Sequence, residues 1–162
     1  MNVYPGKVGI LMSQSLAKIL VHIVFSTENR LDYFKEPEIR RALYQYLGGI
    51  CREKKCPSII IGGTENHVHI LCLLGRTTDV STLVRDLKRC SSVWVKERIP
   101  TLKLFSWQRG YGVFSIGQSQ VEILKRYVEN QESHHKKMDF QEELRELLIK
   151  YQVEFDEKYL WD

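Results

Sequence analysis

His67-Val68-His69 is the stretch of this sequence whose residue types could do chemistry most directly. Side chains alternate across a strand, so in extended chain both imidazoles project from one face and Val68 from the other. Two neutral nitrogen donors side by side suit a bound cation. They equally suit a pair of hydrogen-bonded histidines, so a third partner has to decide between the two. Tyr127 and Gln131 offer one: they stand four apart in Tyr127-Val128-Glu129-Asn130-Gln131, along the edge of an apolar stripe made by Val121, Leu124 and Val128. The plain alternatives are a core-boundary tyrosine and a solvated or capping amide. His134 and His135 follow about two turns after Tyr127. They are candidates for proton transfer or for an extra ligand, or else a solvated pair at a frayed helix end.

Such groups need a scaffold, and the chain is long enough to provide one. Its 162 residues suit a single domain, and 43% apolar with 27% charged residues is a globular composition, not a disordered one. The longest apolar run, Ile19 to Phe25, is interrupted by His22 and falls far short of the ~18 residues of a membrane span. The opening residues carry no signal-peptide pattern, so a cytoplasmic address is expected. Four cysteines, Cys51, Cys56, Cys72 and Cys90, form no C-x-x-C pair and read as reduced, mostly buried thiols. A net charge of +4, from 24 basic and 20 acidic residues, permits a polyanionic partner without demanding one.

The periodicity predicts a strand over Ala17 to Ser26, rich in β-branched residues, then a helix from Pro37 to about Lys55 on the stripe Ile39, Leu43, Leu47 and Ile50. Ser58 to Ile61 forms a second strand that Gly62 and Gly63 end or bend, and His67 to Leu74 a third. Asp79 caps a second helix on Val80, Leu83, Val84, Leu87 and Val93, which Ile99-Pro100 terminates. Tyr111 to Ile116 is a fourth strand, a third helix runs from about Gln120 to His134, and Phe140 to Lys150 is helical. The order predicts an α+β, ferredoxin-like βαββαβ split sandwich with an antiparallel sheet, plus a C-terminal helix carrying the tyrosine. Three segments are expected: a loose arm over 1–12, the main domain over 13–137 and a helical tail over 138–162.

The blocks Val21-His22-Ile23-Val24-Phe25, Glu65-Asn66-His67-Val68-His69-Ile70-Leu71 and Lys125-Arg126-Tyr127-Val128-Glu129-Asn130-Gln131 resemble, in this order, the single-tyrosine HUH transposases of small bacterial insertion sequences and their palindrome-associated relatives. The resemblance spans about Ser13 to Lys137. It implies that His67, His69 and Gln131 hold a divalent metal, Mg²⁺ or Mn²⁺, and that Tyr127 is the nucleophile. It also implies a homodimer acting on folded, hairpin-containing single-stranded DNA. The chemistry is coherent: two imidazoles and an amide oxygen are neutral, so a bound cation keeps its full charge for a phosphate oxygen. A phosphotyrosine ester conserves the cleaved bond for later rejoining, leaving a 3′-hydroxyl on the other strand end. Because a tyrosine pKa lies near about 10, the hydroxyl must lose its proton during attack.

DNA must also be held. Arg85, Lys88 and Arg89 on the second helix, with Trp94, Trp107, Arg109 and Tyr111, mix positive charge with rings and are candidates for phosphate contact and base stacking. A basic solvent face and packed tryptophans are the plain alternative. Two rival functions remain open. A non-enzymatic RNA-binding module shares the sheet topology, and Arg109-Gly110-Tyr111-Gly112-Val113-Phe114 imitates an RNP1 signature, but on the fourth strand where the third is required. A metal-binding protein using His67, His69 and Cys72 is weaker, because an offset of three puts Cys72 on the other strand face.

Overall fold

The computed structural model describes residues 15–161. The arm expected over residues 1–12 lies outside the described residues. Four strands, β1 (Leu20–Ser26), β2 (Ser58–Gly63), β3 (His67–Leu73) and β4 (Gly112–Ile116), form one antiparallel sheet in the order β2-β3-β1-β4. Two long helices connect them, α1 (Pro37–Glu53) and α2 (Val80–Arg98), followed by α3 (Val121–Glu129), α4 (Gln131–His134), α5 (Phe140–Lys150) and α6 (Glu157–Leu160). This is the α+β, βαββαβ arrangement that the element order predicts.

Side-chain alternation divides the sheet between two layers. Val21, Ile23 and Phe25 of β1, with Val68, Ile70 and Cys72 of β3, point into the main core, where Leu43 and Leu47 of α1 and Leu83, Val84 and Leu87 of α2 cover them. Cys51, Cys56 and Cys72 are buried and unpaired there, and Cys90 is half-buried. The intervening residues face the other way. Leu20 and Leu71 pack with Val121 of α3, and Val24 and Phe114 pack with Phe140, Leu144 and Leu148 of α5. His22, His67 and His69 belong to this second face and are buried on it.

Helix ends follow the sequence signals. Asp79 caps α2 by accepting from the Thr82 N–H at 2.8 Å, Pro37 opens α1, and Asp139 with Glu142 forms a capping box on α5. Two local expectations need revision. Gly62 and Gly63 are themselves part of β2, which ends at Gly63, and Gly62 pairs with His69 while α3 crosses against it. A Cβ at Gly62 would stand 2.8 Å from Val128 Cγ1 and 2.9 Å from the Val128 carbonyl oxygen, so glycine here serves close helix approach. The helix expected over Gln120 to His134 breaks at Asn130, whose ψ of 18° leaves α3 and α4 as separate pieces. Asparagine is a poor helix-interior residue, so the break falls where propensity is weakest.

Among the described residues, no helix is long and apolar enough to cross a membrane.

Candidate metal and tyrosine site

The register Ser26↔His67 and Val24↔His69 places both imidazoles on the face covered by α3 to α5, and His22 of β1 joins them there. His69 Nδ1 lies 2.8 Å from His22 Nε2, with the two rings stacked at 5.1 Å between centroids. Burial, reinforced by the charge of His69, lowers the His22 pKa well below the ordinary value, so His22 stays neutral.

Hydrogen-bond partners assign the His67 tautomer. The Asn66 amide nitrogen donates to the Arg30 carbonyl at 3.2 Å and to Asp32 Oδ1 at 2.9 Å, which turns its Oδ1 toward His67 Nδ1, 2.9 Å away. His67 therefore donates from Nδ1 and keeps its Nε2 lone pair for the site. Thr64 Oγ1 lies 3.0 Å from the same Nδ1. On the other side, Gln131 donates its Nε2–H to Glu143 Oε2 at 3.2 Å, which points its Oε1 at His67 Nε2 across 3.0 Å. Two acceptor atoms thus face each other inside a buried site. A proton does not resolve this, because burial and the neighbouring His69 push the His67 pKa down to about 3. A cation does: two ligands at right angles on bonds of ~2.1 Å are about 3.0 Å apart. The donor set fits a divalent metal.

Glu143 of α5 occupies the middle of this group. Its Oε1 is 2.8 Å from His69 Nε2 and 3.7 Å from His67 Nε2, and its Oε2 lies 3.1 Å from His135 Nε2. The Tyr127 hydroxyl donates to Oε2 as well. Burial alone would raise the Glu143 pKa; the charge of His69 and the hydrogen bonds from His135 and His69 outweigh it and hold the carboxyl well below the usual range. Burial, and then the Glu143 charge, push the Tyr127 hydroxyl up from its ordinary value. Donor atoms of His67, His69, His135 and Glu143 all lie within 4.8 Å of one another.

The sequence candidates divide accordingly. His67, His69, Tyr127, Gln131 and His135 come together within one chain. His134 lies at the margin, its ring 5.1 Å from that of Tyr127 and its Nε2 3.6 Å from Glu143 Oε2. Cys72 points to the opposite face of the sheet. The basic candidates lie elsewhere, on or beside α2 in the layer across the sheet from Tyr127. Arg85 and Arg89 are exposed beside Asp86, at 3.3 and 3.8 Å, and Arg109 is exposed. Lys88 is half-buried and donates to the carbonyls of Gln108, Arg109 and Gly110 at 2.9, 3.2 and 2.7 Å. Burial pushes its pKa down to about 8. Trp107 corrects an expectation: its ring is buried among Phe25, Phe34 and Phe105, with its N–H donated to Ser91, and it has no face left for a base.

Sequence reasoning missed Glu143, although a signal was present. It interrupts the apolar stripe Phe140, Leu144, Leu147 and Leu148 at a core-facing position, where a carboxylate needs a partner. His22 carries the same kind of signal inside an apolar strand.

Beside the tyrosine a cavity of about 440 Å³ opens between α3 and α5, with His22, Leu124, Tyr127, Lys150 and Tyr151 among its walls. The second sheet face, which an RNA-recognition module would offer to bases, is covered by α3 and α5, and Phe114 is buried beneath them.

A split βαββαβ sheet whose central strand turns two histidines toward a helical tyrosine defines a class of α+β domains with one composite site. The family model described as IS200-like transposase matches residues 15–131, and the chain belongs to that family. It is thus a transposase, a DNA-cleaving enzyme of DNA recombination. No curated protein matches the sequence. In solved structures the fold is similar to a Deinococcus radiodurans R1 protein described as a transposase, with TM-score 0.60 and 19% identity over 80% of this chain and 98% of that one. It is also similar to a REP-associated tyrosine transposase bound to a REP hairpin, with TM-score 0.55 and 15% identity over 76% of this chain and 74% of that one.

Proposed function

We propose that the chain is a metal-dependent strand transferase that cuts and rejoins single-stranded, hairpin-containing DNA through a covalent 5′-phosphotyrosine on Tyr127. One observation carries the reading: the Tyr127 hydroxyl and the Gln131 amide both donate to the buried Glu143 carboxylate, beside the opposed lone pairs of His67 and Gln131, within a single chain. A REP hairpin bound to a protein of this fold supports the substrate class.

His67, His69 and Gln131 would hold the cation, Mg²⁺ or Mn²⁺, which would supply Lewis-acid polarisation of the scissile phosphate. Tyr127 attacks phosphorus, so the tyrosine oxygen–phosphorus bond forms and the bond to the 3′-oxygen breaks. The tyrosine loses a proton and the leaving 3′-oxygen gains one. Glu143, strongly acidic where it stands, orients the hydroxyl instead of removing its proton; His134 and His135 flank that contact and relay the proton. The cavity beside Tyr127 receives the nucleotide next to the cut. Arg85, Arg89 and Arg109 contact phosphates of the hairpin, and a homodimer brings two such sites to two strand ends.

Incubating the protein with labelled single-stranded hairpin DNA and Mn²⁺ or Mg²⁺ is expected to give a covalent protein–DNA band that a chelator abolishes. Tyr127→Phe is expected to lose the band while keeping hairpin binding. Persistence of the band in that variant would remove Tyr127 as the nucleophile.

A further inference from the structure

We propose that Glu143 is a fourth ligand of the cation, through Oε1, and that its Oε2 simultaneously holds the Tyr127 hydroxyl, so that one carboxylate from α5 fixes the nucleophile relative to the metal. This rests on the metal reading above and deepens it. The helix concerned lies beyond residues 15–131, the segment that marks the family.

Geometry carries the assignment. Oε1 stands 2.8 Å from His69 Nε2 and 3.7 Å from His67 Nε2, spacings that bracket the edge of about 3.0 Å between neighbouring ligands on one small divalent ion. A third spacing, from His67 Nε2 to Gln131 Oε1, is 3.0 Å. These contacts join four donors from β3, α4 and α5 in one run of ligand-like spacings. The other carboxylate oxygen is independently held by His135, Gln131 and Tyr127, which fixes its orientation as a second shell of contacts fixes a ligand. Glu143 is almost fully buried, and Phe140 and Leu144 anchor it in the sheet-facing core. Hydrogen bonds from neighbouring side chains satisfy this buried carboxylate, and a cation beside Oε1 would add a full opposite charge to them.

Adding one negative ligand to a neutral set has definite consequences. Affinity for the cation rises, and metal binding becomes tied to the docking of α5. Mn²⁺ is therefore expected to slow amide exchange across residues 140–150, because undocking α5 then costs a metal ligand.

Three measurements on the full chain test this. Titration calorimetry with Mn²⁺ is expected to show one site in the wild type and at least a tenfold weaker one in Glu143→Gln, whose size is unchanged. The visible absorption of bound Co²⁺ is expected to differ between the two proteins. Equal Mn²⁺ affinity and equal Co²⁺ spectra would overturn the ligand role while leaving the three-ligand site standing. Failure of the wild type to bind Mn²⁺ at all would overturn the metal reading itself. Should Glu143→Gln not fold, hydrogen exchange of the wild type decides: slower exchange of residues 140–150 with Mn²⁺ supports the proposal, and unchanged or faster exchange overturns it, faster exchange meaning that the cation expels Glu143.

Discussion

Buried histidines make this site sensitive to acid, in a direction that follows from their pKa values. An imidazole in the unfolded chain titrates near 6.5, whereas His67 titrates at about 3 in the folded protein and His22 well below its ordinary value. Below pH 6.5 the unfolded state binds more protons than the folded one, so stability is fully present above that pH and is lost as pH falls toward the folded values. Glu143, also depressed, adds a loss of the same sign below the ordinary carboxylate range. Each pH unit of unequal titration costs about 1.4 kcal/mol per group. Thermal unfolding in chelator is therefore expected to show Tm falling by several degrees from about pH 7.5 to about pH 5.5, with the two histidines contributing together. A Tm unchanged over that interval would mean that the imidazoles already carry protons in the folded state, which is incompatible with neutral ligands.

At the scale of elements, the site depends on how closely α3 lies against β2. Gly62 makes that approach possible, since a methyl group there meets both the side chain and the carbonyl of Val128, the residue after Tyr127. The carbonyl belongs to a helix and cannot rotate away, so Gly62→Ala must shift α3 outward. The expected cost is about 1–3 kcal/mol of overpacking, with the main core between α1, α2 and the opposite sheet face intact. Displacing Tyr127 by even ~1 Å is expected to lower the rate of covalent complex formation about a hundredfold. Circular dichroism and the hairpin assay together check this: a folded variant with wild-type cleavage would show that α3 need not sit so close. A second brace holds α4. The buried Arg40 of α1 donates to the carbonyls of Phe34 and Lys35 at 2.7 and 2.9 Å and pairs with Glu132 at 2.5 Å, one residue from Gln131.

The whole molecule shows which information is local in sequence. Strands and helices were legible because hydrophobic period and caps are written over neighbouring residues, as in Asp79 with Thr82 or the alternation through His67-Val68-His69. Helical spacing offered Gln131 as a partner for the histidines and the resemblance made it a ligand, whereas Glu143 escaped because nothing local says that α5 folds back over the sheet. Trp107 was misread for the same reason: only the folded chain shows that its ring lies in the core. Chain closure also decides whether one molecule is catalytically complete. Tyr127 reaches the carboxylate shared with its own His69 and Gln131, so the proposed nucleophile and the proposed ligands meet within one chain. Mixing Tyr127→Phe, which keeps the ligands, with His67→Ala, which keeps the tyrosine, is therefore expected to give no covalent band, because neither chain holds a complete set. A band restored on the His67→Ala chain would mean that α3 crosses to a partner in the working assembly and that catalysis is shared between two molecules. The readout separates the arrangements even if both form dimers, since it depends on which histidines each tyrosine faces and not on how many chains associate.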